Sequence, residues 1–117
     1  MRILVVDDDD SIREFVGMAL EDEGHQVVTA AQGAQALVVA AESPPDLILL
    51  DIRMPVMDGW EFARLYRQQP GPHAPIVVLS ATGNPAATMQ QIGAMSFLAK
   101  PFELKQLLAL VEDYCQG

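Results

Sequence analysis

Polar and acidic residues stand at the ends of three short apolar runs in this sequence. The first run ends at Asp7 and Asp8, the second at Asp51, and the third at Ser80. If these runs are neighbouring buried parallel strands, their carboxyl ends meet in the crevice where open α/β sheets bind ligands. Carboxylates that converge there repel one another, and a hard divalent cation with oxygen ligands relieves the repulsion. The spacing therefore predicts a magnesium-type site suited to phosphoryl chemistry.

Strand-like apolar runs alternate with helix-like segments along the chain. Apolar and β-branched residues predict strands at 1–6, 26–30, 46–50, 75–79 and 96–99. Apolar residues at helical spacing predict helices from residue 11 up to Gly24 and at 33–42, 60–69, 85–92 and 104–111. This alternation of strand and helix predicts a doubly wound α/β fold.

The start of the first helix fits two N-cap patterns. Ser11 and Glu14 have the spacing of a capping box, in which Ser11 is the N-cap. Asp9 and Asp10 instead predict a solvated turn, in which one of the two carboxylates caps the helix and favours its positive end. Both patterns place the helix directly after the acidic turn.

Length, charge and cysteine content limit the class of protein. A chain of 117 residues with 50% hydrophobic residues predicts one compact domain over residues 1–117. The formal net charge of -9 argues against nucleic acid as a direct partner. Cys115 is the single cysteine and cannot form an internal disulfide, and no apolar stretch is long enough for a signal peptide or membrane span. We therefore expect a soluble, cytoplasmic protein with no membrane partner.

Four motifs, in order along nearly the whole chain, resemble the receiver domain of two-component response regulators, including the chemotaxis regulators. They are VVDD at 5–8, LLDIRMP at 49–55 followed by DG at 58–59, VLSA at 78–81 and FLAKPF at 97–102. The resemblance implies a (βα)5 flavodoxin-like parallel sheet with strand order 2-1-3-4-5. It also implies that the domain accepts a phosphoryl group from a phosphohistidine donor.

The resemblance assigns the phosphoacceptor role to Asp51. A carboxylate is a weak nucleophile, but it can attack a phosphoryl group that is held in line and has its charge neutralised. The product is an acyl phosphate whose oxygens need hydrogen-bond donors. By resemblance, Ser80 and Lys100 supply them, and the Lys100-Pro101 peptide bond is cis. Arg53 and Thr82 match positions that flank the path of the water that hydrolyses the product.

The same resemblance implies a bound Mg2+ ion. Asp8 is expected to bind the ion directly, together with Asp51, while Asp7 acts through water or a hydrogen bond. Arg53 is expected to contribute its backbone carbonyl, so its side chain need not disturb the coordination.

Ser80 and Phe97 match the switch residues of the family. Their movement on phosphorylation is expected to change the face formed by the fourth helix, the fifth strand and the fifth helix. For Phe97 an ordinary buried strand aromatic is the alternative, because phenylalanine has no hydroxyl to favour an exposed rotamer.

Two other functions fit part of the pattern. A Mg2+-dependent phosphohydrolase resembling the haloacid dehalogenase superfamily would use Asp7 as nucleophile, in an Asp-x-Asp arrangement that Asp9 completes. An inactive pseudo-receiver would serve only as a protein-binding module.

The receiver interpretation implies a switch that catalyses its own phosphorylation and dephosphorylation rather than a conventional turnover enzyme. Its implied partners are a histidine kinase or histidine phosphotransfer protein and a downstream target or output domain, and a phosphorylation-dependent homodimer stays open.

Overall fold

Five strands and five helices alternate in the computed structural model of the chain, which describes residues 1–54, 56–80 and 85–115. The elements are β1 (Arg2–Val6), α1 (Asp10–Asp22), β2 (Gln26–Ala30), α2 (Gly33–Glu42), β3 (Leu47–Asp51), α3 (Gly59–Gln68), β4 (Ile76–Ser80), α4 (Pro85–Ile92), β5 (Ser96–Ala99) and α5 (Leu104–Cys115). None of the helices in this described part combines the length and apolar character that a membrane span requires.

The strands form one parallel sheet in the order β2-β1-β3-β4-β5. This confirms the predicted flavodoxin-like topology. β3 lies at the centre of the sheet and is buried along its whole length. Because helices cover both faces of such a sheet, its inner strands are apolar on both sides and appear in the sequence as continuous hydrophobic runs.

Two apolar clusters, one on each face of the sheet, form the core. Ile48 and Leu50 belong to one cluster, which packs against α2 and α3 residues such as Phe62. Leu47 and Leu49 belong to the other, which packs against α1 and α5. Successive side chains of a strand point to opposite faces, so a shift of one residue would exchange the two sets. The core therefore fixes the register of β3.

The strand register brings the candidate site residues to one edge of the sheet. Val6 pairs with Leu50, Asp51 pairs with Leu79, and the last pair of the β4 and β5 ladder joins residues 80 and 99. Residues 7 and 100 follow directly after β1 and β5. The carboxyl ends of four strands therefore lie side by side, as the sequence predicts.

Two predicted strands are shifted by one residue, and one N-cap pattern is wrong. β3 and β4 both begin and end one residue later than predicted, because Asp51 and Ser80 take part in the strand ladders although polar residues do not extend an apolar run. The capping box at Ser11 is wrong, whereas the alternative is confirmed. Asp9 is the N-cap of α1, and its carboxylate accepts hydrogen bonds from the backbone N–H groups of Ser11 and Ile12.

The segment between β3 and α3 is tightly constrained where it approaches the site. A Cβ atom on Gly59 would lie 2.8 Å from the Cα of Ile52 and 3.1 Å from the carbonyl oxygen of Asp51, so only glycine fits at this approach. Val56, in contrast, is fully exposed and has φ of 68°. A β-branched residue in the left-handed region is strained, because its side chain crowds the backbone.

We expect Val56→Gly to raise the free energy of unfolding by about 1 kcal/mol, since relief of strain exceeds the entropy that glycine adds to the unfolded chain. Val38 is the matched control, because it is an exposed valine inside α2. Val38→Gly should lower the stability by about 0.5 kcal/mol through lost helix propensity. Urea unfolding measures both changes. A Val56→Gly protein no more stable than the wild type would contradict the strain.

Candidate functional site

Asp7 is the most buried acidic residue of the site, with no exposed surface. It follows β1, and its backbone N–H donates to the carbonyl oxygen of Ala30 over 3.1 Å. Its Oδ1 accepts a hydrogen bond from the backbone N–H of Asp9 at 2.9 Å, and its Oδ2 accepts one from the Lys100 ammonium at 2.7 Å. Both carboxylate oxygens are therefore engaged within the protein.

Asp51 ends the central strand and is only 6% exposed. Its Oδ1 lies 3.4 Å from the Nζ atom of Lys100. The backbone N–H of Arg53 also donates a hydrogen bond to the Asp51 carboxylate. These contacts hold a nearly buried carboxylate beside a cation at the edge of the sheet.

Lys100 follows β5 and reaches across the sheet edge to both carboxylates. The peptide bond between Lys100 and Pro101 is cis, as the family resemblance implied. Burial alone would lower the pKa of Lys100, but the hydrogen bond and charge of Asp7, together with Asp51, raise it above its ordinary value of 10.5. The ammonium therefore stays charged at neutral pH.

Asp8 completes a group of three carboxylates. One oxygen each from Asp7, Asp8 and Asp51 lie within 4.8 Å of one another. Asp8 is exposed, whereas the other two residues are buried. An all-oxygen set that is buried on one side and open on the other suits a hard cation such as Mg2+, which keeps several of its water ligands. The residues present therefore fit the predicted metal.

The environment of Asp51 raises the pKa of its carboxyl from 3.8 to about 6. Burial is the largest cause, because it disfavours the charged form, and the nearby negative charge of Asp7 adds to it. The charge of Lys100 and the N–H of Arg53 offset part of the effect. The sequence predicted repulsion among these carboxylates, and the structure adds burial as the larger cause of the raised pKa.

Arg13 is a residue of the site region that sequence reasoning missed. Its Nη1 donates to the backbone carbonyl oxygen of Asp7 at 2.7 Å, and its Nη2 forms an ion pair with Asp10. Only 19% of its side chain is exposed. The spacing of Asp10 and Arg13, three residues apart at a helix start, was the available signal, but it predicts only a surface pair.

Four further residues were predicted from the sequence to act at or near the site, namely Arg53, Ser80, Thr82 and Phe97. The side chain of Ser80, and Thr82 as a whole, lie outside the described residues. The side chain of Arg53 is exposed. Phe97 is 36% exposed on β5, so the alternative of a buried strand aromatic is wrong, while its switch role stays a prediction.

Comparison with known protein families places the chain in one of them. Residues 3–112 match the model of the response regulator receiver domain. The chain is 39% identical over 114 residues to the transcriptional regulatory protein GlrR of Escherichia coli, covering 95% of this chain and 25% of that protein. It is 41% identical over 111 residues to the response regulator MprA of Mycobacterium avium, covering 93% of this chain and 48% of that protein. The chain thus spans between a quarter and a half of these relatives.

Two solved structures are similar to this chain over nearly its whole length. The chemotaxis protein CheY4 of Vibrio cholerae is similar with a TM-score of 0.89 and 37% identity, and the match covers 97% of both chains. The receiver domain of NtrX from Brucella abortus is similar with a TM-score of 0.86 and 34% identity, over 98% of both chains.

The raised pKa of Asp51 predicts a specific pH dependence of stability. The folded state keeps this proton up to pH of about 6, whereas the unfolded chain loses it near pH 4. Between these values the folded state binds more protons, so stability falls as pH rises through the window and stays lower above it. At 1.36 kcal/mol per pKa unit, Asp51 should lower the free energy of unfolding by roughly 3 kcal/mol across this window.

Urea unfolding in the presence of a chelator tests this dependence. The stability of Asp51→Asn relative to the wild type should rise between pH 4 and pH 6.5, because the variant has no carboxylate to charge. Asp22→Asn, which removes an exposed carboxylate from α1, controls for the loss of one negative charge. A difference between Asp51→Asn and wild type that is independent of pH would contradict the raised pKa.

Proposed function

Because the chain belongs to the response regulator receiver domain family and is a phosphoacceptor domain of two-component signalling, we propose that Asp51 is the residue that takes the phosphoryl group. One observation carries the proposal. Asp51 is a nearly buried carboxylate at the end of the central strand, 3.4 Å from an ammonium and beside two further carboxylates. Such a group can act as a nucleophile toward a phosphoryl group whose charge is neutralised.

The proposed transfer forms one bond and breaks another. A carboxylate oxygen of Asp51 bonds to phosphorus while the phosphorus–nitrogen bond of a donor phosphohistidine breaks, and the electron pair stays on the imidazole nitrogen. The product is an acyl phosphate on Asp51. Hydrolysis by water at phosphorus later returns the free carboxylate and inorganic phosphate. Both steps need an in-line approach from the open side of the site.

Lys100 is proposed as the main protein cation for the transferred group. Its ammonium already lies between Asp7 and Asp51, so a phosphoryl group on Asp51 would find a charged donor close by. Hydrogen bonds from charged donors are about twice as strong as neutral ones. The hydroxyl of Ser80 is proposed as a second donor, supported by the position of residue 80 at the end of β4.

A divalent cation is proposed to bind Asp8 and Asp51, with Asp7 acting through water or a hydrogen bond. The backbone carbonyl of Arg53 is proposed as a further ligand. When bound, Mg2+ neutralises charge on the phosphoryl oxygens and orients the group. Asp7 holds Lys100 in place, since its Oδ2 accepts the shortest hydrogen bond of that ammonium among the described residues.

The phosphohydrolase alternative requires Asp7 as the nucleophile. Asp7 is fully buried, and its two carboxylate oxygens are engaged by Asp9 and Lys100. With no exposed surface, neither oxygen of Asp7 can be approached in line by a phosphoryl group, and the family match points to the receiver function instead. The inactive pseudo-receiver is disfavoured as well, because Asp7, Asp8, Asp51 and Lys100 are all present and assembled.

The biological setting is proposed from the family and its relatives. Residues 1–117 are taken as one receiver domain, acting in the cytoplasm with a histidine kinase or histidine phosphotransfer protein as donor. A downstream target or an output domain is proposed to take up the signal, since the curated relatives are longer than this chain.

Ser80 and Phe97 are proposed to change the face formed by α4, β5 and α5 on phosphorylation. The exposure of Phe97 supports this role.

We expect Asp51→Asn to abolish phosphorylation by a small acyl phosphate donor with Mg2+, because the amide is not nucleophilic. Asp22→Asn, on the exposed surface of α1, should be labelled like the wild type. Intact-protein mass spectrometry and far-UV circular dichroism measure labelling and folding. A stoichiometric phosphoryl group on folded Asp51→Asn, mapped to Asp7 or Asp8, would contradict the assignment.

We expect Arg53→Ala to shorten the half-life of the acyl phosphate roughly three- to tenfold, equivalent to about 1 kcal/mol in the barrier. The exposed side chain lies two residues beyond the acceptor and can pair with a phosphoryl oxygen or obstruct water. Arg64→Ala, at an exposed arginine of α3, is the control. Loss of label followed by mass spectrometry gives both rates, and equal half-lives would mean that the Arg53 side chain only points into solvent.

A further inference from the structure

Arg13 joins the first helix to the acidic segment that precedes it. From the fourth residue of α1, its Nη1 donates to the carbonyl oxygen of Asp7 at 2.7 Å, and its Nη2 pairs with the Asp10 carboxylate. Only 19% of the Arg13 side chain is exposed, whereas 85% of the Asp10 side chain is exposed. Arginine presents its donors in a planar fork, so the two contacts together fix the orientation of the group.

This contact completes the fixation of Asp7. Its backbone N–H binds Ala30, and its carboxylate oxygens bind Asp9 and Lys100. The carbonyl oxygen is the last polar group of the residue, and Arg13 binds it. Loss of Arg13 would therefore release only the backbone carbonyl of Asp7, while its N–H and its carboxylate would keep their hydrogen bonds.

The peptide unit between Asp7 and Asp8 transmits the effect to Asp8. The carbonyl of Asp7 and the nitrogen and Cα atoms of Asp8 lie in the same rigid plane, so the direction of the carbonyl fixes the N–Cα bond of Asp8, from which its side chain starts. Within residues 1–54, 56–80 and 85–115, no hydrogen bond holds the Asp8 carboxylate itself. The orientation of this exposed carboxylate therefore depends on the conformation of the backbone at Asp8.

We propose that Arg13 is a positioning residue that holds the peptide unit between Asp7 and Asp8. It thereby orients the Asp8 carboxylate toward the divalent cation. The inference rests on the proposed metal site. Groups that orient metal ligands without touching the metal typically change metal affinity by 10- to 100-fold when they are removed. Arg13 acts in the same way, through a backbone carbonyl instead of a ligand side chain.

Positioning and charge act in opposite directions at this residue. As a positive charge close to the site, Arg13 repels a cation, so its removal would strengthen Mg2+ binding if charge were its main effect. As a positioning residue, it keeps Asp8 in place, so its removal weakens binding. The sign of the change in affinity therefore separates the two roles.

Calorimetric titration of the metal-free protein with Mg2+ tests the inference. Arg13→Met removes the fork and the charge, while Arg13→Lys keeps the charge and loses the fork. We expect both variants to bind Mg2+ roughly tenfold more weakly than the wild type. Arg64→Met and Arg64→Lys are the matched controls, because Arg64 also pairs with an acid three residues away, but on the exposed surface of α3. Their affinities should stay within about twofold of the wild type.

Thermal unfolding in a chelator accompanies the titration, so that affinities are compared at a temperature where every variant is folded. Arg13 variants with a lower unfolding temperature but unchanged Mg2+ affinity would overturn the inference, since the residue would then serve stability alone. Tighter binding by Arg13→Met would overturn it too, in favour of the charge effect. Backbone NMR shifts in Arg13→Lys should change at Asp7 and Asp8 without Mg2+, and unchanged shifts there would also count against positioning.

The controls separate this inference from the proposed function. A wild-type protein that binds no Mg2+, or an Asp8→Ala variant with wild-type Mg2+ affinity, would overturn the proposed metal site and the role of Arg13 with it. Mg2+ binding that depends on Asp8 but is the same with and without Arg13 would overturn only the positioning role.

Discussion

Repulsion among three carboxylates at one edge of the sheet is the constraint on which the rest of the site depends. Asp7, Asp8 and Asp51 bring one oxygen each within 4.8 Å of the others. The Lys100 ammonium, 2.7 Å from Asp7 and 3.4 Å from Asp51, offsets part of the negative charge. The remaining charge favours a divalent cation. Burial and the negative charge of Asp7 together raise the pKa of Asp51 to about 6, with burial the larger cause.

The apolar core holds the acidic residues together against this repulsion. β3 is buried along its whole length, and its alternate side chains fill the clusters on the two faces of the sheet. Because a slip of one residue would exchange the two sets between faces that are packed by different helices, Asp51 cannot move along the sheet away from Asp7. Strain also appears next to the site, where Val56 has a positive φ and Gly59 approaches the backbone of Ile52. Departures from local preference of this kind are typical of functional sites.

Most of the fold follows from the sequence because buried parallel strands and amphipathic helices have different periods. The alternation of elements was sufficient for the doubly wound class, and the family resemblance supplied the strand order that the structure confirms. Errors occurred where a polar residue belongs to an element. Asp51 extends β3 beyond its apolar run, and Asp9 rather than Ser11 caps α1. Both errors arise because a polar side chain at an element end has the same sequence signal as one in a turn.

The sequence by itself determined that Asp7 and Asp51 meet, since each follows an apolar run and parallel strands end at one edge, and the family resemblance added Lys100. Only the tertiary structure decided how they differ. Asp7 is fully buried and Asp8 is exposed, although they are adjacent in the chain and identical in type. Arg13 binds a backbone carbonyl, which every residue carries, so no pattern of residue types could have indicated the contact. Burial and hydrogen-bond partners depend on distances between segments remote in sequence, and these distances exist only once the chain has folded.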